Sequence, residues 1–92
     1  MLIDAILVEP RGGYRLFVRY SDGTEGERDF SDLMASEGPM VQPLKDPNYF
    51  ARVFLDFGAP TWPNGYDIAP DALHADMLDA GQLVPSGARP AA

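Results

Sequence analysis

The run YRLFVRYSDGTEGERDF, residues 14–30, leaves the chain little choice of fold. In YRLFVRY the side chains alternate. Tyr14, Leu16, Val18 and Tyr20 share one face and Arg15, Phe17 and Arg19 the other, which is the period of a half-buried strand. Ser21-Asp22-Gly23 then reverses the chain, and the length of that loop decides which residues meet. A two-residue Asp-Gly loop sets Val18 opposite Glu27 and Arg19 opposite Gly26. A three-residue loop, with Gly23 left-handed and followed by a bulge, pairs Arg19 with Glu25 and Arg15 with Asp29, and sets Tyr14 beside Phe30. Opposite charges across a pair contribute up to about 1 kcal/mol, so the three-residue register is expected. Its cost is Arg28, which lands on the apolar face and must snorkel at an edge.

Around this hairpin the rest of the chain reads as short elements. LIDAILVE (2–9) is rich in β-formers and ends at Pro10, and RGGY is a turn. SDLMASEG (31–38) predicts one or two helical turns with Ser31 as N-cap, and PMVQPLK is a proline-punctuated connector. Asp46-Pro47 is a strong start signal for a short helix through DPNYFARV. In VFLDF, Val53, Leu55 and Phe57 are expected to point one way and Phe54 and Asp56 the other. GAP is read as a hairpin-like bend and TW as the start of a short last strand. Pro70 opens a helix, PDALHADMLDAG, with Leu73 and Met77 on its apolar stripe and Gly81 as its stop. The expectation is an α+β fold: an antiparallel sheet of about five strands in the order β-β-β-α-α-β-β-α, with helices packed on one face. It forms a single domain over residues 1–81, followed by a frayed tail, 82–92. The uncovered face then carries Arg15, Phe17, Arg19, Glu25, Glu27 and Asp29.

At 92 residues the chain forms a small core, burying roughly 60–65% of its unfolded surface. Apolar residues at 46% and aromatics at 11% mark a globular chain. There is no cysteine, hence no disulfide and no thiolate chemistry. No signal-peptide pattern and no apolar run approaching about 18 residues occurs, so a bacterial-type cytoplasm is expected and a membrane is not. A net charge of −7 disfavours direct nucleic-acid binding, which draws on Lys and Arg.

Candidate chemistry is sparse. His74 is the only histidine and is expected to be a partly exposed helix residue without a paired nucleophile. Asp67 and Asp71 are the best carboxylate pair, and both also suit the start of the last helix. Asp29 and Asp32 are the nearest approach to a cation site. Gly12-Gly13 lacks the Lys and Ser/Thr of a phosphate loop. No catalytic residue, metal or cofactor is expected. WPNGYD (62–67) holds the one tryptophan. Pro63, Asn64 and Gly65 suit a type I turn, with the Trp62 ring buried and its indole N–H bonded to a carbonyl. Trp62, Asn64 and Asp67 are also the candidate ligand contacts.

Taken in order, YRLFVRYSDGTEGERDFSDLM, PLKDPNYFARV and WPNGYDIAPDAL resemble the bacterial family called domain of unknown function 2442, over about residues 2–75. The chain departs from that pattern at Arg28, where members tend to be apolar, at Phe54, where they tend to be polar, and at Ala69, which replaces a polar cap. The resemblance implies a small α+β fold with nothing catalytic. It also implies a neighbouring gene that encodes a second small protein, in pairs suspected of being toxin–antitoxin-like. Some relatives append a helix-turn-helix, for which the residues after Gly81 are too few. Some have been labelled molybdopterin-cofactor biosynthesis proteins, a role these residues do not support.

Three functions follow as expectations. The first is a non-catalytic protein-interaction module, the neutralising half of a two-gene pair. It would bind a protein partner, or a second copy as a homodimer, through Arg15, Phe17, Arg19 and Phe54 or through a strand edge. The second is an acidic mimic that occupies a basic nucleic-acid-binding protein. The third is a small-ligand binder with its pocket at Trp62, Asn64 and Asp67.

Overall fold

The structure is a computed structural model and describes residues 3–86. Strands β1 (Ala5–Pro10), β2 (Arg15–Tyr20) and β3 (Thr24–Asp29) form an antiparallel meander. Two single 3-10 turns follow, Leu33–Ala35 and Gln42–Lys45, and then helix α1 (Pro47–Phe50). Strands β4 (Phe54–Asp56) and β5 (Ala59–Thr61) make a separate two-stranded ribbon. Helix α2 (Pro70–Asp79) leads to β6 (Val84–Pro85), which joins the first sheet in the order β1-β2-β3-β6. The α+β class is as expected, but the sheet is split, four strands and two.

The central hairpin has the three-residue register, with Arg19 opposite Glu25 and Arg15 opposite Asp29. Gly23 is left-handed at φ 87°. Leu16, Val18 and Tyr20 are fully buried, and with Phe30, Leu44, Phe50, Trp62, Leu73 and Met77 they form the core. Arg28 does snorkel, with its guanidinium 5.0 Å from the Phe30 ring centroid. Asp46 caps α1 by accepting from the Asn48 N–H at 3.0 Å. The first short turn is capped differently from expectation. Asp32 accepts from Leu33 N, while Ser31 turns back to the Asp29 carboxylate. Ala69 gives α2 no side-chain cap.

Two expectations about the end of the chain fail for physical reasons. The tail does not fray at Gly81. Left-handed Gly81 (φ 71°) closes α2, with its N–H bonded to Leu78 O at 3.1 Å and the Gln82 N–H bonded to Met77 O at 2.9 Å. These two bonds make a Schellman motif. They deliver the Gln82 carbonyl onto the backbone of Gly26, the one strand position without a side chain, and Val84–Pro85 then pair with Thr24 and Glu25. Residues 87–92 of the expected tail lie outside the described residues.

His74 is buried rather than partly exposed. Its ring packs edge-on against Tyr20 at 4.9 Å, and its Nε2 lies 2.8 Å from an Asp22 carboxylate oxygen. The Tyr20 hydroxyl, whose pKa burial pushes well above its ordinary value, donates to Met77 Sδ at 3.1 Å. A long-range contact between the Ser21-Asp22-Gly23 turn and α2 thus hides the imidazole, and helix periodicity alone could not reveal it.

Two outcomes follow. A Cβ at Gly26 runs into the Gln82 backbone carbonyl, which no rotamer change relieves. Gly26→Ala is therefore expected to cost about 1–3 kcal/mol, read as a lower urea midpoint at unchanged slope, despite the better strand propensity of alanine. Asp22 is held below the ordinary carboxylate pKa, chiefly by the Thr24 hydroxyl, with the Thr24 N–H and His74 adding to it. A lowered folded pKa contributes stability that is full above the ordinary value of about 3.9. That stability is lost as pH falls through the lowered value. Asp22→Asn should flatten this part of the acid limb in a pH series of urea midpoints.

Candidate functional site

The WPNGYD corner is built on the carbonyls that the helical connector leaves over. Short helices end with C=O groups that have no partner within the helix. Trp62 Nε1 donates to Phe50 O at 2.9 Å, Asn64 Nδ2 to Met40 O at 2.9 Å, and the Tyr14 hydroxyl to Lys45 O at 2.6 Å. The turn itself closes with Gly65 N to Trp62 O at 2.8 Å and Trp62 N to Tyr66 O at 2.9 Å. Asn64 also accepts from the Tyr66 N–H, and Asp67 bridges Thr61 through the backbone. The three candidate ligand residues therefore do not converge. Trp62 is fully buried, Asn64 spends its amide on the connector, and Asp67 faces solvent.

Tyr66 of the corner and Ile68 just after it do line a cavity. The cavity holds about 350 Å³ and is floored by Phe30 and Leu33, with Ser36 at its side. Arg28 forms a further wall, between Asp32 at 3.6 Å and Asp76 at 3.5 Å.

On the outer sheet face the candidate arginines are already engaged. Arg19 pairs with Glu25 at 2.8 Å. Arg15 donates to Arg11 O at 2.7 Å and approaches Glu27 rather than Asp29. The register is the expected one, but the Asp29 carboxylate goes to Ser31, whose hydroxyl lowers its pKa. Phe17 is half-buried beneath the Arg11 guanidinium, 4.6 Å from the ring centroid, with Arg19 at 6.0 Å. Asp29 and Asp32 are thus spent on different partners. At the start of α2, Asp71 accepts from its neighbour Ala72 while Asp67 lies across from Thr61. Thr24 and His74 sit on opposite oxygens of Asp22, so the hydroxyl points at the carboxylate rather than at the imidazole.

The β4–β5 ribbon holds the residue that sequence reasoning misplaced. Asp56 pairs with Ala59, which leaves Phe57-Gly58 as a two-residue loop, and both have positive φ, 49° and 77°. That is the type I′ geometry, which favours Asn-Gly or Asp-Gly. Phe57 does not share a buried face with Val53 and Leu55; the residue is 98% exposed at the tip. The bend is Phe57-Gly58 and not GAP. Phe54, on the same ribbon, is 45% exposed. The tip is pinned to the sheet by Ala5 N to Gly58 O at 2.8 Å, so exposed Ile6 follows directly on the anchoring residue. A symmetric reading of LD-FG-AP as strand, turn, strand was the available signal.

A protein-family model described as "Protein of unknown function (DUF2442)" matches residues 5–76. The chain belongs to the DUF2442 family. No curated protein and no solved structure matches it. The span that carries the DUF2442 match includes the hairpin, the ribbon and the corner, and stops at Asp76, before Gly81 and β6. Among the described residues of this DUF2442 chain, no helix is long and apolar enough to cross a membrane.

Left-handed backbone costs a non-glycine residue roughly 1–2 kcal/mol, less for asparagine, and the Phe57 ring recovers nothing by burial. Phe57→Asn is expected to raise stability by about 0.5–1 kcal/mol, visible as a higher urea midpoint. A loss of stability would show that the ring makes contacts within the chain.

Proposed function

We propose that this chain is a non-catalytic protein-interaction module that presents the tip of the β4–β5 ribbon to a protein partner. One observation carries the reading. A phenylalanine stands where Asn or Gly is more stable, at φ 49°, and it is 98% exposed. Strain held at a sparsely populated backbone conformation is commonly tied to a contact outside the local chain. Burying the ring against a partner contributes about 1.5–3 kcal/mol, enough to offset the strain. Phe54 on the same ribbon and Ile6, next to the anchoring Ala5, are exposed as well. The outer sheet face is the weaker contender, because its arginines already face carboxylates and Phe17 lies under guanidinium groups.

The finer reading comes from the family resemblance: an antitoxin-like partner for the product of a neighbouring gene, acting in a bacterial cytoplasm. It shares the same test. Affinity capture from the native host, with sizing of the complex, should recover a defined partner with the natural chain. Phe57→Asn and Phe54→Asp should each lower the affinity for that partner by about tenfold or more, while Phe17→Asp leaves it within a few-fold. Capture unaffected by both ribbon variants but abolished by Phe17→Asp would move the contact to the outer face. A homodimer that Phe57→Asn dissolves would identify the partner as a second copy.

A further inference from the structure

The cavity between the hairpin, the first 3-10 turn, the corner and α2 has an electrostatic imbalance independent of the ribbon. Arg28 reaches it because the three-residue register places a cation on the apolar face of β3. The Arg28 side chain is only 22% exposed and lies over the Phe30 ring. Its two terminal nitrogens point at different carboxylates, Asp32 on one side and Asp76 on the other. Both distances, 3.6 and 3.5 Å, exceed the roughly 2.7–2.9 Å of a formed charge-assisted hydrogen bond. Two carboxylates around one guanidinium leave one negative charge uncompensated at the mouth, where both Asp side chains are mostly exposed. Behind that charge the walls are apolar or aromatic apart from Ser36, and the volume of about 350 Å³ falls within the range of small-ligand sites.

We propose that this cavity binds an organic monocation: a primary ammonium at the mouth, on the solvent side of the Asp32 and Asp76 carboxylates that flank Arg28, with a short apolar stem against Phe30, Leu33, Ile68 and Tyr66. An anion is disfavoured because it would have to approach Arg28 past the Asp32 and Asp76 carboxylates within a chain of net charge −7. A neutral apolar molecule fills the same walls but leaves the charge at the mouth unbalanced. An ammonium balances two negative with two positive charges and places its stem beside aromatic faces, where cations are attracted. The recognising group is the same whether the ammonium is a free amine or a lysine side chain of a partner protein.

Amide-detected NMR titration of the full chain tests this with 2-phenylethylammonium, neutral 2-phenylethanol and anionic 3-phenylpropionate. The ammonium should give saturable shifts at Ser36, Tyr66 and Ile68, with a dissociation constant on the order of 1 mM or tighter. The neutral analogue should bind about tenfold more weakly. Added salt should weaken the ammonium complex. The double variant Asp32→Asn, Asp76→Asn keeps a residue able to cap the turn at position 32, and should lose about tenfold in affinity. Non-saturating shifts, an unaffected double variant, or tighter binding of 3-phenylpropionate would each overturn the proposal, the last by making Arg28 the recognising group. A terminally blocked Leu-Lys-Leu peptide separates the two sources. Binding tighter than that of the free amine identifies a lysine of a partner protein, and binding of the amine alone identifies a small metabolite; both keep the cation site.

Discussion

The structure depends on how one short, irregular connector is held. Residues 39–50 contain a 3-10 turn and a four-residue helix, too little regular structure to satisfy their own carbonyls. Tyr14 ahead of β2, and Trp62 and Asn64 from the corner, reach in to take the carbonyls of Lys45, Phe50 and Met40. The same contacts gather the aromatic core. Phe50 lies 5.6 Å from Tyr14, 6.0 Å from Phe30 and 5.5 Å from Trp62, centroid to centroid, and Trp62 continues to Tyr66. Buried hydrogen bonds of this kind matter because leaving the acceptor unmade costs about 1–3 kcal/mol. The tryptophan before the tight turn is therefore a structural anchor, and the turn after it aims Asn64 at the connector.

What was legible in the sequence was what local chemistry decides. The hairpin register followed from loop length and opposite charges, α1 from Asp46-Pro47, α2 from Pro70 and Gly81, and the Trp62 hydrogen bond from the habits of a buried indole. What was not legible depended on residues far apart in sequence. The burial of His74 needs Asp22, fifty-two positions away in sequence. The pairing of Val84–Pro85 needs the bare backbone of Gly26 beneath Gln82. A glycine inside a strand marks close approach of another backbone, so Gly26 was the readable trace of that packing. Phe57 was misplaced for a different reason. A hydrophobic residue that continues an alternating pattern reads as a core residue, whereas the two-residue loop forces it out to the tip.

The candidate site was legible only in part, because site and scaffold use the same residues. Asn64 and Trp62 are drawn into the connector, and Arg15, Arg19 and Phe17 into a network of their own. Phe54 stays on the surface, as the alternation in VFLDF predicts. Arg28 shows the reverse case. The register makes it a misfit on an apolar face, and the fold turns that misfit into one wall of a cavity.

Surface energetics separate the two faces that could meet a partner. Exposed ion pairs contribute about 0–1 kcal/mol each and weaken with salt. A partner that docks on the outer sheet must also compete with carboxylates already in place, so exchanging one set of pairs for another yields little net affinity. The ribbon tip has no such competitor. Its ring is almost wholly in water, its backbone is already fixed by the Ala5–Gly58 hydrogen bond, and little ordering entropy remains to be lost there on binding. A solvent-exposed aromatic on a short, pinned turn is thus better suited to carry binding energy than a self-paired charged face, even though the face is easier to see in the sequence.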